Sequence, residues 1–128
     1  MNKVQIIALV EQYFDAVDRE DFETITTLLT QDCVFTVETH GVTLHGLQKI
    51  QHMFDKLWAD HAAVRHHDFI HVPAPEDNRI ATRFQVINTL HDGTLVHKSN
   101  CNFFEIHDGK FSRIAVYMAG SNTLAGRE

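Results

Sequence analysis

The chain has little cysteine, little proline and no apolar run long enough to span a bilayer, and each scarcity excludes something. Cys33 and Cys101 are its two cysteines, far apart and each in an apolar, strand-like context. A disulfide framework is thereby excluded, and buried thiols in a reducing cytoplasm are expected. Pro73 and Pro75 are the only prolines, so no Pro-rich linker divides the 128 residues, a length that suits one domain (1–128) around one core. Basic residues are also in deficit, 11 Lys and Arg against 17 Asp and Glu, for a formal net charge of −6. They are scattered as well, whereas nucleic acid or an anionic membrane surface needs a basic face, so neither is an expected partner. Met1-Asn2-Lys3 leads directly into an amphipathic pattern containing Glu11, without the apolar stretch or cleavage site of a signal peptide, and the expected location is cytoplasmic.

What is present is an ordinary globular composition, 44% apolar and 22% charged, which sets the chain apart from disordered and fibrous sequences. Ten histidines bring the net charge toward zero near pH 6, where solubility should be lowest. Between Lys3 and Arg19, apolar residues at Ile6, Val10, Tyr13, Phe14 and Val17 fall at helical spacing. Asp21 is placed to cap a short second helix with Phe22, Ile25, Leu28 and Leu29 inward, ended by Thr30-Gln31-Asp32. Residues 33–38 read as a strand with a short return punctuated by Gly41 and Gly46, and Leu47, Ile50, Phe54, Leu57 and Trp58 restore a helix ending near His61. Beyond it, Val64–Val72, Ile80–Leu90, Leu95–Ile106 and Phe111–Ala119 read as four strands, with Asp92-Gly93 and Asp108-Gly109 as hairpin signals. Helices followed by an antiparallel meander predict an α+β domain with the helices on one face of a single sheet.

Several strings within this order resemble the SnoaL-like domain of the nuclear transport factor 2-like superfamily. They are residues 13–22 at the exit of the first helix, 28–35 at the entry to the first strand, 45–50 at the Gly-led third helix, and 104–111 near the end. The resemblance implies a cone-shaped α+β barrel, three N-terminal helices packed on a curved, mainly antiparallel sheet, around a small-molecule pocket. It says less about function, since the same cone hosts isomerases, dehydratases, epoxide hydrolases, polyketide cyclases and non-catalytic binders.

The resemblance also nominates residues. Tyr13 matches the oxyanion-hole tyrosine of ketosteroid isomerase, a relative, where a phenol donates to a developing enolate; the alternative is a core tyrosine. That enzyme's general-base aspartate falls on Val37, which cannot move a proton, with Glu38 next to it and usable only if a bulge shifts the register; otherwise Glu38 is a solvated strand-end charge. Asn102 stands where the family often has an acid and could polarise a carbonyl or serve as a structural amide. Asp18 could face the pocket mouth, as an acid does in related dehydratases, or solvate the turn. Family register places a pocket histidine at His67, whereas strand alternation with inward Val64 and Val72 favours His66, with Asp68 on the same face as a possible dyad partner. Phe14, Phe35, Phe54, Trp58, Phe104 and Met118 are the expected lining.

Metal is not expected, because no His-Glu-x-x-His, Cys-x-x-Cys or paired helical histidine spacing occurs, and neither Gly-rich phosphate loops nor a Gly-x-Ser-x-Gly elbow is present; a cofactor-free site follows. The expected activity is proton transfer on a small apolar carbonyl compound, as in cyclisation, isomerisation or dehydration, with non-catalytic ligand binding as the rival. A homodimer through the outer sheet face is expected too, since a meander of this size exposes residues such as Phe103.

Overall fold

The computed structural model describes residues 1–119. Three helices, α1 (Lys3–Asp18), α2 (Phe22–Leu28) and α3 (Leu47–Asp60), pack on six strands: β1 (Leu29–Val37), β2 (Val42–His45), β3 (Ala63–Ala74), β4 (Arg79–Thr89), β5 (Leu95–His107) and β6 (Lys110–Met118). The sheet runs β2-β1-β6-β5-β4-β3, antiparallel except for the β1–β6 pair. It is curved but unclosed, with β2 and β3 as edges, so the expected barrel is an open cone. None of the described helices is long and apolar enough to cross a membrane.

The local chemistry accounts for the element ends. Asn2 caps α1 in a reciprocal box: its Oδ1 accepts from the Gln5 backbone N–H at 2.9 Å, and Gln5 Oε1 accepts from the Asn2 N–H at 2.9 Å. Asp21 caps α2 as expected, accepting from Thr24 N at 3.0 Å and Thr24 Oγ1 at 2.7 Å. The second helix ends earlier than the periodicity suggests. Thr30, Gln31 and Asp32 belong to β1 rather than to a helix stop, because Leu29 is already extended at ψ 148° and pairs with Phe111. Asp108 (φ 51°) and Gly109 (φ 76°) form the two-residue hairpin between β5 and β6 that their sequence signals.

The core lies between the helices and the concave face of the sheet. Ile6, Val10 and Phe14 of α1, Ile25 of α2 and Ile50 of α3 are buried against Ile80, Phe84, Phe104, Phe111 and Ile114 of the sheet. Each large side chain removed from water in this way contributes about 1.5–3 kcal/mol, mostly offset by chain entropy. Trp58 Nε1 donates to the Val17 carbonyl at 3.1 Å, fastening the end of α3 to the end of α1.

Candidate functional site

A cavity of about 250 Å³ opens between the helices and the sheet. Its helical wall is Tyr13, Phe14 and Val17 of α1 with Met53, Phe54 and Leu57 of α3. The strands contribute Phe35, Val37, Val64, Phe84, Val86, Val116 and Met118, so the wall is predominantly apolar. Five polar side chains from the sheet interrupt it: His66 on β3, Asn88 on β4, and Lys98, Asn100 and Asn102 on β5. Not one of the cavity-lining residues is Asp or Glu.

A bulge decides which histidine faces the cavity. His66 pairs with Val86 and His67 with Gln85, but the next pairing is Ile70 with Arg83, so Asp68 and Phe69 together stand opposite Phe84. Asp68 takes a left-handed φ of 56° to make the step. Simple alternation therefore holds only to His67. Val64 and His66 face inward before the bulge; Phe69 and His71 face inward after it, while Ile70 and Val72 lie on the outer face, 51% and 64% exposed. Alternation from Val64 gives His66 as the inward histidine, but its Asp68 and Val72 do not face the cavity, and the family register that favours His67 does not span this insertion.

His66 meets Asp18 rather than Asp68. Its Nδ1 lies 2.5 Å from Asp18 Oδ1, and its backbone N–H donates to Asp18 Oδ2 at 2.8 Å. One carboxylate at the end of α1 thus fixes both the strand and the ring, with the two side chains 23% and 11% exposed. Phe14 packs on one side of the imidazole, with centroids 4.7 Å apart, and Phe84 on another at 5.3 Å. Nε2 has no protein partner among the described residues.

The other nominated residues divide. His67 does not line the cavity; its Nδ1 is 3.3 Å from the exposed Asp68 carboxylate, and its Nε2 is buried without a partner. His71 reaches Thr82 Oγ1 at 2.9 Å and Glu11 at 3.1 Å, a strut between α1 and the sheet. Glu38 is exposed in a 3-10 turn, bonded to Thr36, and Val37 is the residue that faces the cavity there. No bulge turns Glu38 inward. Tyr13 does line the cavity, edge-on to Phe14, Phe54, Phe104 and Phe111 at 5.2–6.4 Å. Burial, and secondarily the nearby Cys33, raise its phenol well above the usual range, so it stays a proton donor at neutral pH.

Asn102 lines the cavity, 3% exposed, with a buried Oδ1 that no protein group meets, and Asn88 is the same at 6%. Buried amides are ordinarily paired, so two without partners beside one cavity are unspent hydrogen-bonding capacity. Phe14, Phe35, Phe54 and Met118 are lining as expected. Trp58 instead stacks on Phe54 from behind at 5.4 Å, and Phe104 is fully buried core between Tyr13 and Phe111. Asn88, Lys98 and Asn100 are additions to the expected set, although Lys98 and Asn100 stand four and two residues before Asn102 on one strand and so share its face. Among the described residues, no group of three His, Cys, Asp or Glu side chains could hold a metal ion.

Three helices on an open, curved, mostly antiparallel sheet around an apolar cavity define an α+β cone, and similarity to known proteins supplies its family. The SnoaL-like domain matches residues 10–114, and the chain belongs to that family. A search of curated proteins finds no match. Among solved structures, a proposed polyketide cyclase from Xanthomonas campestris pv. campestris superposes with a TM-score of 0.88 at 18% identity, covering 98% of each chain. Another proposed polyketide cyclase, from Pseudomonas putida KT2440, gives 0.81 at 21% identity over 91% of this chain and 93% of that one. An LEH-like epoxide hydrolase from M. tuberculosis gives 0.76 at 18% identity over 96% and 89%. At these identities the likeness establishes the fold.

Proposed function

We propose that the chain is a cofactor-independent enzyme that moves a proton on a small apolar carbonyl compound, in a cyclisation, isomerisation or dehydration, with His66 as the proton-transfer group. The observation that carries the reading is the Asp18–His66 pair at the wall of a cavity with no other acid–base couple. With Asp18 ionised and Nδ1–H bonded to it, Nε2 presents a lone pair to the cavity. It takes a proton from carbon next to the carbonyl, and the imidazolium, stabilised by Asp18, returns it elsewhere on the product. Negative charge developing on oxygen is met by the Tyr13 phenol and by an Asn102 or Asn88 amide, in a site where the apolar wall excludes water. The similarity to proposed polyketide cyclases supports substrates of the polyketide type.

The rival, a non-catalytic binder of apolar ligands, is favoured by Val37, which faces the cavity where the related isomerase places its base. A panel of planar aromatic ketones and polyketide fragments separates the two by thermal shift and turnover measured together. Turnover that disappears in His66→Ala supports the enzyme; stabilisation by ligands with no turnover across the panel supports the binder.

A further inference from the structure

Lys98 takes no part in the proposed proton transfer. It lies inward on β5, half-buried at the cavity, in a period-two row with Asn100 and Asn102. No carboxylate of the described residues comes within ion-pair distance of it. Burial alone acts on the ammonium and lowers its pKa from the ordinary lysine value, with no neighbouring charge to oppose it. A protein of net charge −6 thus turns a cavity without a single acidic side chain toward its ligand, and places an unpaired cation in it. A structural lysine would extend into solvent or meet one of the 17 acidic residues.

The sheet register relates this cation to the site. His66 pairs with Val86, and Val86 with Lys98, so the three stand in one row across β3, β4 and β5 and all line the cavity. Two strand spacings separate the His66 and Lys98 backbones, about 10 Å, with Val86 as an apolar floor between them. A planar ligand lying on Val86 would have one end at the imidazole and the other at the ammonium.

We infer that Lys98 anchors a carboxylate on the ligand, so that the substrate class is an aromatic or polyketide-like carbonyl compound bearing a free carboxylate, held by Lys98 at one end and presented to His66 at the other. Asn100 and Asn88 flank Lys98 in the register, Asn100 two residues on along the same strand and Asn88 on β4 two residues from Val86. The inference rests on the cavity being a ligand site but does not require turnover.

The test is calorimetric binding of two probes of one size, 2-naphthoate and the neutral 2-acetylnaphthalene, to the whole chain and to Lys98→Met, Lys98→Gln and Lys98→Arg. The wild type should bind 2-naphthoate at least about tenfold more tightly, the worth of one partly desolvated ion pair, and added salt should narrow the gap. Lys98→Met and Lys98→Gln should erase the preference while retaining the wild-type affinity for the ketone within about threefold, which also shows the cavity to be intact. Lys98→Arg should keep most of it. Equal binding of the two probes by the wild type, or a preference that survives in both neutral variants, overturns the inference and leaves His66 untouched; failure of both probes to bind at all overturns the ligand site as well.

Discussion

Replacing Asp18 with Asn tests the orientation of the imidazole, because it changes one atom and one charge. In the wild type the carboxylate accepts twice from the same residue: from the His66 backbone N–H at 2.8 Å and at Nδ1 at 2.5 Å. An Asn side chain has one oxygen for these two donors. The backbone N–H cannot give up its proton and keeps the oxygen, so the amide NH2 turns toward Nδ1. The ring must then accept there, and its proton moves to Nε2, the atom that would act on substrate. Losing a charged acceptor from one ring hydrogen bond costs roughly 1–3 kcal/mol, toward the lower end because Asp18 is 23% exposed. For a domain of this size that lowers Tm by about 4–11 °C. Nitrogen-15 NMR of the imidazole reads the tautomer directly, and thermal melting reads the stability. An unchanged tautomer, or a Tm within about a degree of wild type, would refute the reasoning.

Phe84→Ala removes a ring under Phe14 and His66 and should cost about 3–5 kcal/mol in urea unfolding while widening the cavity. Asp68→Val places a β-branched side chain at φ 56° in the bulge and should lose about 1–2 kcal/mol, whereas Asp68→Gly should stay within about 0.5 kcal/mol; equal losses would mean the bulge is not strained. Burial, with the Asp32 charge secondary, pushes the Cys33 thiol from 9.0 up to about 12. Its contribution to stability is therefore complete below pH 9 and lost as pH rises toward 12, a fall that Cys33→Ala should lessen in alkaline melts. We propose that the outer sheet face, where Val72, Ala81, Phe103 and Ala115 form one cross-strand row and Tyr117 is 47% exposed, is the interface of a homodimer. Light scattering should give twice the chain mass at micromolar concentration, and a monomer mass would overturn this.

The helices and most strand positions were legible because their signals are local and strong: the three-to-four spacing through Val10, Tyr13, Phe14 and Val17, the cap at Asp21, and the Asp108-Gly109 turn. The β1 start was not, because a single ψ at Leu29 converts an apparent helix stop into a strand, and the pairing with β6 that holds it is remote in sequence. The site was half legible. Tyr13, Asn102 and, of the aromatic lining, Phe14, Phe35 and Phe54 follow from periodicity and from family likeness, whereas Trp58 and Phe104 belong to the packing behind the cavity wall. The choice between His66 and His67 depends on an inserted residue whose φ is positive without being glycine, and Asp carries no unambiguous signal for that. From sequence Asp18 reads as either a turn residue or an acid at the pocket mouth; its bond to a residue 48 positions away is a tertiary fact. Lys98 and Asn100 were readable in principle from the inward Asn102, since a strand repeats its face every second residue.

In the proposed reaction His66, held by Asp18, moves protons on a carbonyl ligand in this cavity. Proton transfer can be seen before the full reaction is known, by incubating the protein in deuterium oxide with the ketone panel and following deuterium uptake next to the carbonyl by NMR. The wild type should accelerate exchange for at least one ligand that binds. His66→Ala should reduce that rate by about 10²–10⁴ while still binding it, and His67→Ala should leave the rate within about threefold of wild type. Exchange that survives in His66→Ala, or exchange lost in His67→Ala instead, would contradict the assignment.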